Sequence, residues 1–373
     1  MLSKPKIQVI MSFKAVANCL YCILIAGFML FYQPAFSQNK FIKIEHWVDE
    51  HLPQLGGNAV MLIYKDGNIV FNYAASGANE MKPKVRKFRK AFNSNRTIDA
   101  NKKILIASCS KWLSAALVMT FVDEGKIKLT DSIGAYLPVM IQNGKGAITL
   151  AECLSHTTGI DAGGFNRNKE FTSAGSTDEV METIAKMPME AAHGTLFHYS
   201  SVGLQIAAAI VEKIGAENFQ QLFQQRIAQK CNMKNTDWGN KKIALPAGGA
   251  RSTANDYMNF LVMILSKGNF RGVEVLSRQS VALMQQSFTA GKMVKDSPAG
   301  SLNWGYGLGE WIMAPVNKEN PAVSSPGLFG SFPWVDNEKG YAALLFTFNL
   351  KRNDRIKKYM ELKALVDEAL QKP

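Results

Sequence analysis

The sequence predicts an α+β fold in which an antiparallel sheet, built from both chain ends and flanked by helices, carries an inserted, mainly helical lobe. The first observation is that β-type runs stand near both ends of the chain, at 58–64, 68–75, 305–313 and 340–348. The second is that helical patterns dominate between them, so the helical lobe is expected over roughly 130–265. The third is Asp66-Gly67, a strong hairpin signal between the first two runs.

Residues 1–37 are predicted to be a secretory signal peptide, which leaves 38–373 as the folded domain. Lysines open the chain, an apolar run follows at 15–31, and the small residues of 35–37 offer a cleavage site before Gln38. We therefore expect a periplasmic or secreted protein with no stable membrane span after the signal is cleaved.

Two other uses of this N-terminal stretch stay open. One is an uncleaved membrane anchor, although an apolar run of this length is near the lower limit for a span. The other is lipid attachment at Cys19, which the bulky polar Asn18 just before it disfavours.

Helical patterns and one basic run account for the other elements, taken in chain order. An amphipathic helix is expected at 41–52, and the dense basic run at 82–96 is interpreted as a solvated loop. Further helices are expected from about 108, from 149, at 201–214, at 219–231 and at 355–370. Thr149 and Glu152 form a capping-type start for the second of these.

The positive net charge suggests a nucleic-acid or surface-binding role, but the distribution of the lysines does not favour that role. Removing the three lysines of residues 1–37 lowers the net charge from +13 to +10. A basic protein can bind nucleic acid or an acidic surface. Here the lysines are scattered outside the single basic run, so we expect no nucleic-acid partner. Only the net charge supports the nucleic-acid or surface-binding alternative. The oligomeric state is not predicted.

Cysteine and histidine usage predicts neither a disulfide framework nor a metal centre. Three cysteines remain after residue 37, an odd and small number. None of them has a metal-ligand neighbourhood, and the five histidines show no spacing such as H-E-x-x-H. No cofactor is expected. The absence of a G-x-S-x-G elbow argues against an α/β-hydrolase.

The stretch with the strongest chemical content is Ser108-Cys109-Ser110-Lys111. Three-residue spacing places Ser108 and Lys111 on one helix face, one turn apart. A serine hydroxyl needs a nearby base to become a nucleophile, and a lysine amine can be that base when burial lowers its pKa. The apolar residues that follow predict a buried helix ended by Gly125. The structural alternative is a serine that merely caps this helix.

Two further sites in the sequence are weighed as partners of this pair. Tyr199 stands between turn residues and a predicted helix, where, paired with Lys111, it could shuttle the Ser108 proton. Its alternative role is that of a packed aromatic side chain. The adjacent pair Ser155-His156 is interpreted as a structural turn, because neighbouring residues rarely form a nucleophile and its base.

Taken together, the motifs resemble the serine β-lactamase and penicillin-binding-protein superfamily, most closely its branch of class C β-lactamases, D-alanyl-D-alanine carboxypeptidases and esterases. Ser108 to Lys111 matches the Ser-x-x-Lys motif, and 154–160 resembles the Leu-Ser-His-Thr-Ser-Gly segment of that branch. The stretch 194–201 resembles Gly-x-x-Phe-x-Tyr-Ser-Asn, and 248–256 resembles Gly-Gly-x-x-Ser-Thr-x-x-Asp. The resemblance covers roughly residues 45–370 and implies a β-lactamase/transpeptidase-like fold.

Two departures from the family pattern affect the substrate site. Ser201 stands where the family has asparagine, and Ser325-Pro326-Gly327 stands where it has Lys-Thr-Gly or His-x-Gly. We call the latter the third-motif segment; its small residues would also suit an ordinary Pro-Gly turn. The resemblance implies that the N–H groups of Ser108 and Leu328 form an oxyanion hole. It also implies that Ser201, Ser325 and Gly327 line the substrate site.

The function implied by this resemblance is a secreted serine hydrolase that forms an acyl-enzyme at Ser108. Lys111 and Tyr199 would move the proton, and no metal would be needed. The substrate would be a small molecule or a peptide, and the sequence does not separate esterase, amidase, D-Ala-D-Ala carboxypeptidase and β-lactamase. The rival is a non-catalytic penicillin-binding or sensor protein on the same fold. The altered third-motif segment favours this rival, and the intact Ser108, Lys111 and Tyr199 oppose it.

Overall fold

The structure is a computed structural model that describes residues 40–77, 98–163, 167–239, 241–297, 304–314, 321–350 and 355–371. The predicted signal peptide and the basic run at 82–96 lie outside these residues. Within them, no helix has the length and apolar character that crossing a membrane would need.

A seven-stranded antiparallel sheet is the centre of the fold, with strand order β2-β1-β13-β12-β11-β10-β9. The strands are β1 (Asn58–Lys65), β2 (Asn68–Ser76), β3 (Ile104–Leu105), β4 (Leu196–His198), β5 (Arg251–Ser252), β6 (Asn269–Phe270), β7 (Val273–Glu274), β8 (Met293–Asp296), β9 (Gly305–Tyr306), β10 (Trp311–Ile312), β11 (Ala322–Ser324), β12 (Gly330–Asp336) and β13 (Tyr341–Phe348). Because β1 pairs with β13, the two chain ends meet in one sheet. The predicted α+β fold class and the hairpin around Asp66-Gly67 are confirmed.

Two strand predictions near the C-terminus need correction. The run 305–313 is two short strands, β9 and β10, separated by a turn rather than one continuous strand. The sequence pattern also missed β12, which pairs with both β11 and β13. All seven residues of β12 are buried and Pro333 lies inside it, so it has neither the alternation nor the composition expected of a strand.

Helices cover both faces of the sheet. They are α1 (Ile42–His51), α2 (Cys109–Asp123), α3 (Pro138–Gln142), α4 (Leu150–Leu154), α5 (Arg167–Ser173), α6 (Thr177–Ala185), α7 (Val202–Gly215), α8 (Phe219–Phe223), α9 (Ala254–Leu265), α10 (Arg278–Met284) and α11 (Arg355–Gln371), with a 3₁₀ turn at Ile133–Ala135 and a π turn at Gln224–Ala228. The helix predicted at 219–231 is therefore α8 followed by the π turn. The capping box predicted at Thr149 and Glu152 is present, with each residue bonding the other's backbone N–H.

Two hydrophobic clusters lie on opposite faces of the sheet. On one face α1 and α11 pack through Trp47 and Leu362 against residues such as Leu345. On the other face α2 and the helical lobe form the larger cluster, which includes Trp112. Burying a large apolar side chain contributes about 1.5–3 kcal/mol, so these clusters hold the sheet and the lobe together.

Helix α2 is buried along almost its whole length, from Cys109 to Phe121. This burial follows from a sequence that is apolar nearly all round the helix. The helix contacts α7 and α10 on the lobe side and β12 on the sheet side. Its first residues therefore lie where the sheet meets the helical lobe, and Ser108 comes directly before them.

Candidate active site

Ser108 occupies the N-cap position of α2, but its hydroxyl caps nothing. Its side chain accepts no hydrogen bond from the first turn of the helix. The Oγ atom lies instead 3.2 Å from the Lys111 Nζ. The interpretation of Ser108 as a mere capping residue is therefore wrong, because the hydroxyl points to a side chain with base chemistry.

The turn that precedes Ser108 is strained and tightly held. Ala107 has a φ of +48°, a left-handed conformation that costs a non-glycine residue about 1–3 kcal/mol. The Ser110 hydroxyl donates to the Ala107 carbonyl at 2.6 Å and accepts from the Ala250 N–H at 3.0 Å. The Ile106 N–H also donates to the Ala250 carbonyl. These contacts fix the backbone that presents the Ser108 hydroxyl.

Lys111 is a buried amine without a counter-ion. Only 3% of the residue is exposed, and its Nζ donates to the Ala247 carbonyl at 2.7 Å. Across the described parts of the chain, no carboxylate lies within ion-pair distance of this atom. Burial lowers the pKa of Lys111 from 10.5 to about 7. A neutral amine that can accept the Ser108 proton is therefore populated near neutral pH.

Tyr199 completes the group around the Ser108 hydroxyl. Its ring centroid lies 4.6 Å from the Lys111 Nζ, and the Ser108 side chain partly offsets the effect of burial on the pKa of the Tyr199 phenol. Burial raises the pKa of Tyr199 well above its usual value. The phenol therefore keeps its proton, and of the two groups beside Ser108 it is Lys111 that can act as the base.

An aromatic cluster holds Tyr199 in place. Its ring stacks on Trp311 with centroids 5.5 Å apart, and it packs against His156 at 4.6 Å and Tyr306 at 5.9 Å. Offset and edge-on contacts of this kind contribute about 0.5–1.5 kcal/mol each beyond their burial. The aromatic packing that the sequence offered as the alternative role of Tyr199 is therefore present, and it holds the ring beside Lys111.

His156 supports this cluster and is not the base. Its Nε2 lies 3.1 Å from the Tyr306 hydroxyl, and its Nδ1 accepts the Ser200 N–H at 3.4 Å. Burial and the nearby Lys111 lower the pKa of His156 well below its usual value, which keeps the ring neutral. Its neighbour Ser155 pairs with Thr157 at 3.0 Å instead. Sequence reasoning placed His156 in a turn and missed this supporting contact.

The two backbone N–H groups predicted to form the oxyanion hole are those of Ser108 and Leu328. The N–H groups of Ser108 and Leu328 donate to no acceptor within the ranges that the structure describes. The Leu328 carbonyl accepts a hydrogen bond from the Arg355 guanidinium, which holds the peptide unit that follows Leu328. Two unpaired N–H groups beside a nucleophile are what an oxyanion hole requires.

The third-motif segment is pressed onto the start of α2. The Ser325 hydroxyl donates to the Ser108 carbonyl at 3.0 Å and lies 3.4 Å from the Gly309 carbonyl. A Cβ on Gly327 would lie 2.5 Å from the Ile106 carbonyl oxygen, so only glycine fits there. The contacts bring Leu328 to the site, while the Ser325 hydroxyl is used by the backbone and is not turned toward a substrate.

The remaining candidate site residues differ in whether their side chains already have hydrogen-bond or ion-pair partners. Ser201 begins α7, is half-buried, and leaves its hydroxyl outside any cap bond. The Arg251 guanidinium, a possible replacement for the missing family cation, donates to Asp237 at 2.9 and 2.7 Å. Among the described residues, the side chains spaced to hold a metal ion are Asp161, Glu190 and His198. They come from three separate segments beside the strand that leads into Tyr199 and are not part of the Ser108 group.

The comparisons with known proteins agree with this architecture. A family model described as Beta-lactamase matches residues 48–366. An N-acetylmuramyl-L-alanine amidase of Bacillus subtilis is 21% identical over 370 residues, covering 84% of this chain and 81% of that protein. The D-alanyl-D-alanine-carboxypeptidase/endopeptidase AmpH of Escherichia coli is 23% identical over 257 residues, covering 61% and 66%. The solved structure of EstCE1, a hydrolase with promiscuous acyltransferase activity, has a TM-score of 0.70 at 16% identity and covers 88% of this chain and 99% of its own.

The fold is that of the serine β-lactamases and penicillin-binding proteins, as the motifs of the sequence predicted. An antiparallel sheet built from both ends of the chain, with a helical lobe inserted between them, defines this class. The chain belongs to the β-lactamase family. Amidase and carboxypeptidase relatives identify this family as one of serine hydrolases.

Proposed function

We propose that this chain is a serine hydrolase that forms an acyl-enzyme at Ser108 on an ester, amide or peptide substrate. The observation that carries the proposal is the 3.2 Å contact between the Ser108 hydroxyl and a buried Lys111 whose pKa is lowered to about 7. A general base is most effective when its pKa lies near the working pH. No metal or cofactor enters the mechanism.

The acylation step uses three side chains in turn. Ser108 Oγ forms a bond to the substrate carbonyl carbon while its proton passes to the neutral Lys111 amine. The carbonyl oxygen becomes negative between the N–H groups of Ser108 and Leu328. Tyr199 donates its phenol proton to the leaving group, whose bond to carbon then breaks, and the protonated Lys111 restores that proton.

Deacylation runs the same steps with water in place of the leaving group. Water attacks the acyl carbon as its proton moves toward Tyr199 and Lys111, and the Ser108 oxygen takes a proton back. Because the phenol of Tyr199 and the amine of Lys111 both return to their starting states, the cycle balances. A pair of positioned acid–base groups contributes roughly 10²–10⁴-fold to the rate of such steps.

The substrate class follows from the altered third-motif segment. β-Lactams and D-Ala-D-Ala peptides present a carboxylate to the family cation, and here Ser325 brings no charge. A hydrogen bond to a charged group contributes about 1.5–3 kcal/mol, so its loss lowers transition-state binding by about ten- to a hundredfold. Arg251 is held by Asp237 and does not replace the charge. Small esters and uncharged amides should therefore be the better substrates.

Comparing kcat/KM for a short nitrophenyl ester and for nitrocefin tests this preference. We expect the ratio of kcat/KM for the ester to kcat/KM for nitrocefin to be about ten- to a hundredfold higher than the same ratio for a family β-lactamase measured in parallel. Equal or faster nitrocefin turnover would show that another cation has replaced the lost one. Stoichiometric acylation by both compounds without turnover would favour the rival function, a non-catalytic penicillin-binding or sensor protein.

The proposal includes export, with residues 1–37 as the signal peptide and 38–373 as the mature protein. It is supported by the positive start, the apolar run and the small residues before Gln38. N-terminal sequencing of protein purified from its native host should begin at or near Gln38. A product that begins at Met1 and fractionates with the cytoplasm would contradict export without touching the hydrolase proposal.

A further inference from the structure

Three metal-binding side chains from separate segments converge beside the strand that leads into Tyr199. Asp161 follows α4, Glu190 lies in the loop after α6, and His198 ends β4. One ligand atom from each lies within 4.8 Å of the other two, and all three residues are partly buried. We call these three the Asp-Glu-His cluster. The sequence analysis did not predict this cluster, because residues 161, 190 and 198 follow no metal-ligand spacing.

Backbone contacts hold the three segments in register. The Asp161 N–H donates to the Pro188 carbonyl at 2.9 Å, and Ile160 forms an isolated bridge with Met189. The His198 N–H donates to the His156 carbonyl at 2.9 Å. Because the backbone already places the ligands, binding an ion would need side-chain rotations and little ordering of the chain.

The cluster already attracts positive charge. The Glu190 side chain is 10% exposed, lies 2.5 Å from the His198 Nδ1, and forms an ion pair with Lys295. Its hydrogen bond and charge, together with the charge of Asp161, raise the pKa of Lys295. Lys295 is half-exposed and stands on β8, so its ammonium can move into solvent when a stronger cation arrives.

We propose that Asp161, Glu190 and His198 form a binding site for one divalent transition-metal ion such as Zn²⁺. One imidazole nitrogen and two carboxylate oxygens suit this class of ion, and the absence of a thiolate in the cluster disfavours Cu(I). Zinc takes such ligands at about 2.0–2.2 Å, which sets tetrahedral ligand atoms roughly 3.4 Å apart. Rotation of Asp161 and Glu190 closes the present spacing, and a water completes the shell.

Binding of a metal ion would move one proton and break two existing contacts. The His198 Nδ1 must present its lone pair, so the ring proton moves to Nε2 and the contact with Glu190 is replaced by two metal bonds. The Lys295 ion pair is given up at the same time. The inference does not rest on the proposed hydrolase activity.

Equilibrium dialysis of the full chain against Zn²⁺, with the metal quantified by mass spectrometry, tests the site. We expect one ion per chain, at least a tenfold loss of affinity in His198→Ala and in Glu190→Gln, and tighter binding in Lys295→Ala. His193→Ala is the matched control, since His193 pairs with Glu152 outside the cluster and should leave affinity unchanged.

A spectroscopic readout separates a built site from adventitious binding. With Co²⁺ alone as the probe, visible absorption should appear in the wild type and be lost in His198→Ala, while circular dichroism shows that both are folded. The milder Asp161→Asn variant should weaken binding without affecting the fold. Wild-type affinity in His198→Ala, or no binding by either the wild type or Lys295→Ala at millimolar Zn²⁺, would overturn the inference.

Discussion

Ser108→Ala is expected to lose all covalent labelling by a fluorophosphonate probe and to lower kcat/KM for a short nitrophenyl ester by about 10⁴-fold or more. The Ser108 hydroxyl oxygen lies 3.2 Å from the Lys111 amine and belongs to the same residue as one of the two proposed oxyanion-hole N–H groups. Without it, neither an acyl bond nor the proton transfer can occur. Peptide mapping by mass spectrometry should find the probe on Ser108 in the wild type.

Two buried serines serve as controls for that experiment. Ser155 pairs with Thr157, and Ser252 pairs with Thr236, so neither hydroxyl meets a base. Ser155→Ala and Ser252→Ala should label like the wild type. A probe mapped to either of them, or undiminished turnover in Ser108→Ala, would show that the nucleophile has been assigned wrongly. Thermal unfolding of Ser108→Ala near the wild-type midpoint would confirm that the loss is chemical.

Local patterns in the sequence predicted the elements whose signals are local. The hairpin at Asp66-Gly67 and the capping box at Thr149 each depend on neighbouring residues, and both are present. Strand β13 is buried along its whole length and was still recognised, because its residues form a nearly continuous apolar run. Strand β12 was missed because Gly330, Ser331, Pro333 and Asp336 interrupt its apolar residues, although all seven residues are buried.

In the candidate site too, local spacing was predictable from the sequence and tertiary contacts were not. Ser108 and Lys111 are one helical turn apart, so their proximity follows from spacing. The Ala247 carbonyl that holds the Lys111 amine and the Ser110 bridge to Ala250 come from tertiary contacts. The family resemblance implied that Ser325 lines the substrate site. Its hydroxyl is turned to the Ser108 carbonyl, a contact between residues 217 positions apart.

Lys111→Arg should fold and yet lose at least about a hundredfold in kcat/KM, because a guanidinium does not give up its proton near neutral pH. In the wild type, kcat/KM should rise with pH and level off above about 7, where the buried amine becomes neutral. Lys145→Met is the matched control. Lys145 is also a buried lysine, but it donates to the Ala185 carbonyl in the helical lobe. Near-wild-type turnover in Lys111→Arg would remove Lys111 from the mechanism.

Lys111→Met tests the same lowered pKa through the pH dependence of protein stability. It shows whether the buried Lys111 amine loses its proton in the folded protein. Between the folded pKa of about 7 and the unfolded value of 10.5, the unfolded chain binds a proton that the folded protein does not. The wild-type free energy of unfolding should therefore fall as the pH drops from 10.5 toward 7, by roughly 5 kcal/mol from this group, and lose nothing further below. Lys111→Met lacks that titration. Measured by urea unfolding, its stability relative to the wild type should be greatest at or below pH 7 and decline toward pH 10.5. A difference that stays constant across this range would mean that Lys111 remains charged when folded, and the proposed base would then carry its proton at the start of the reaction.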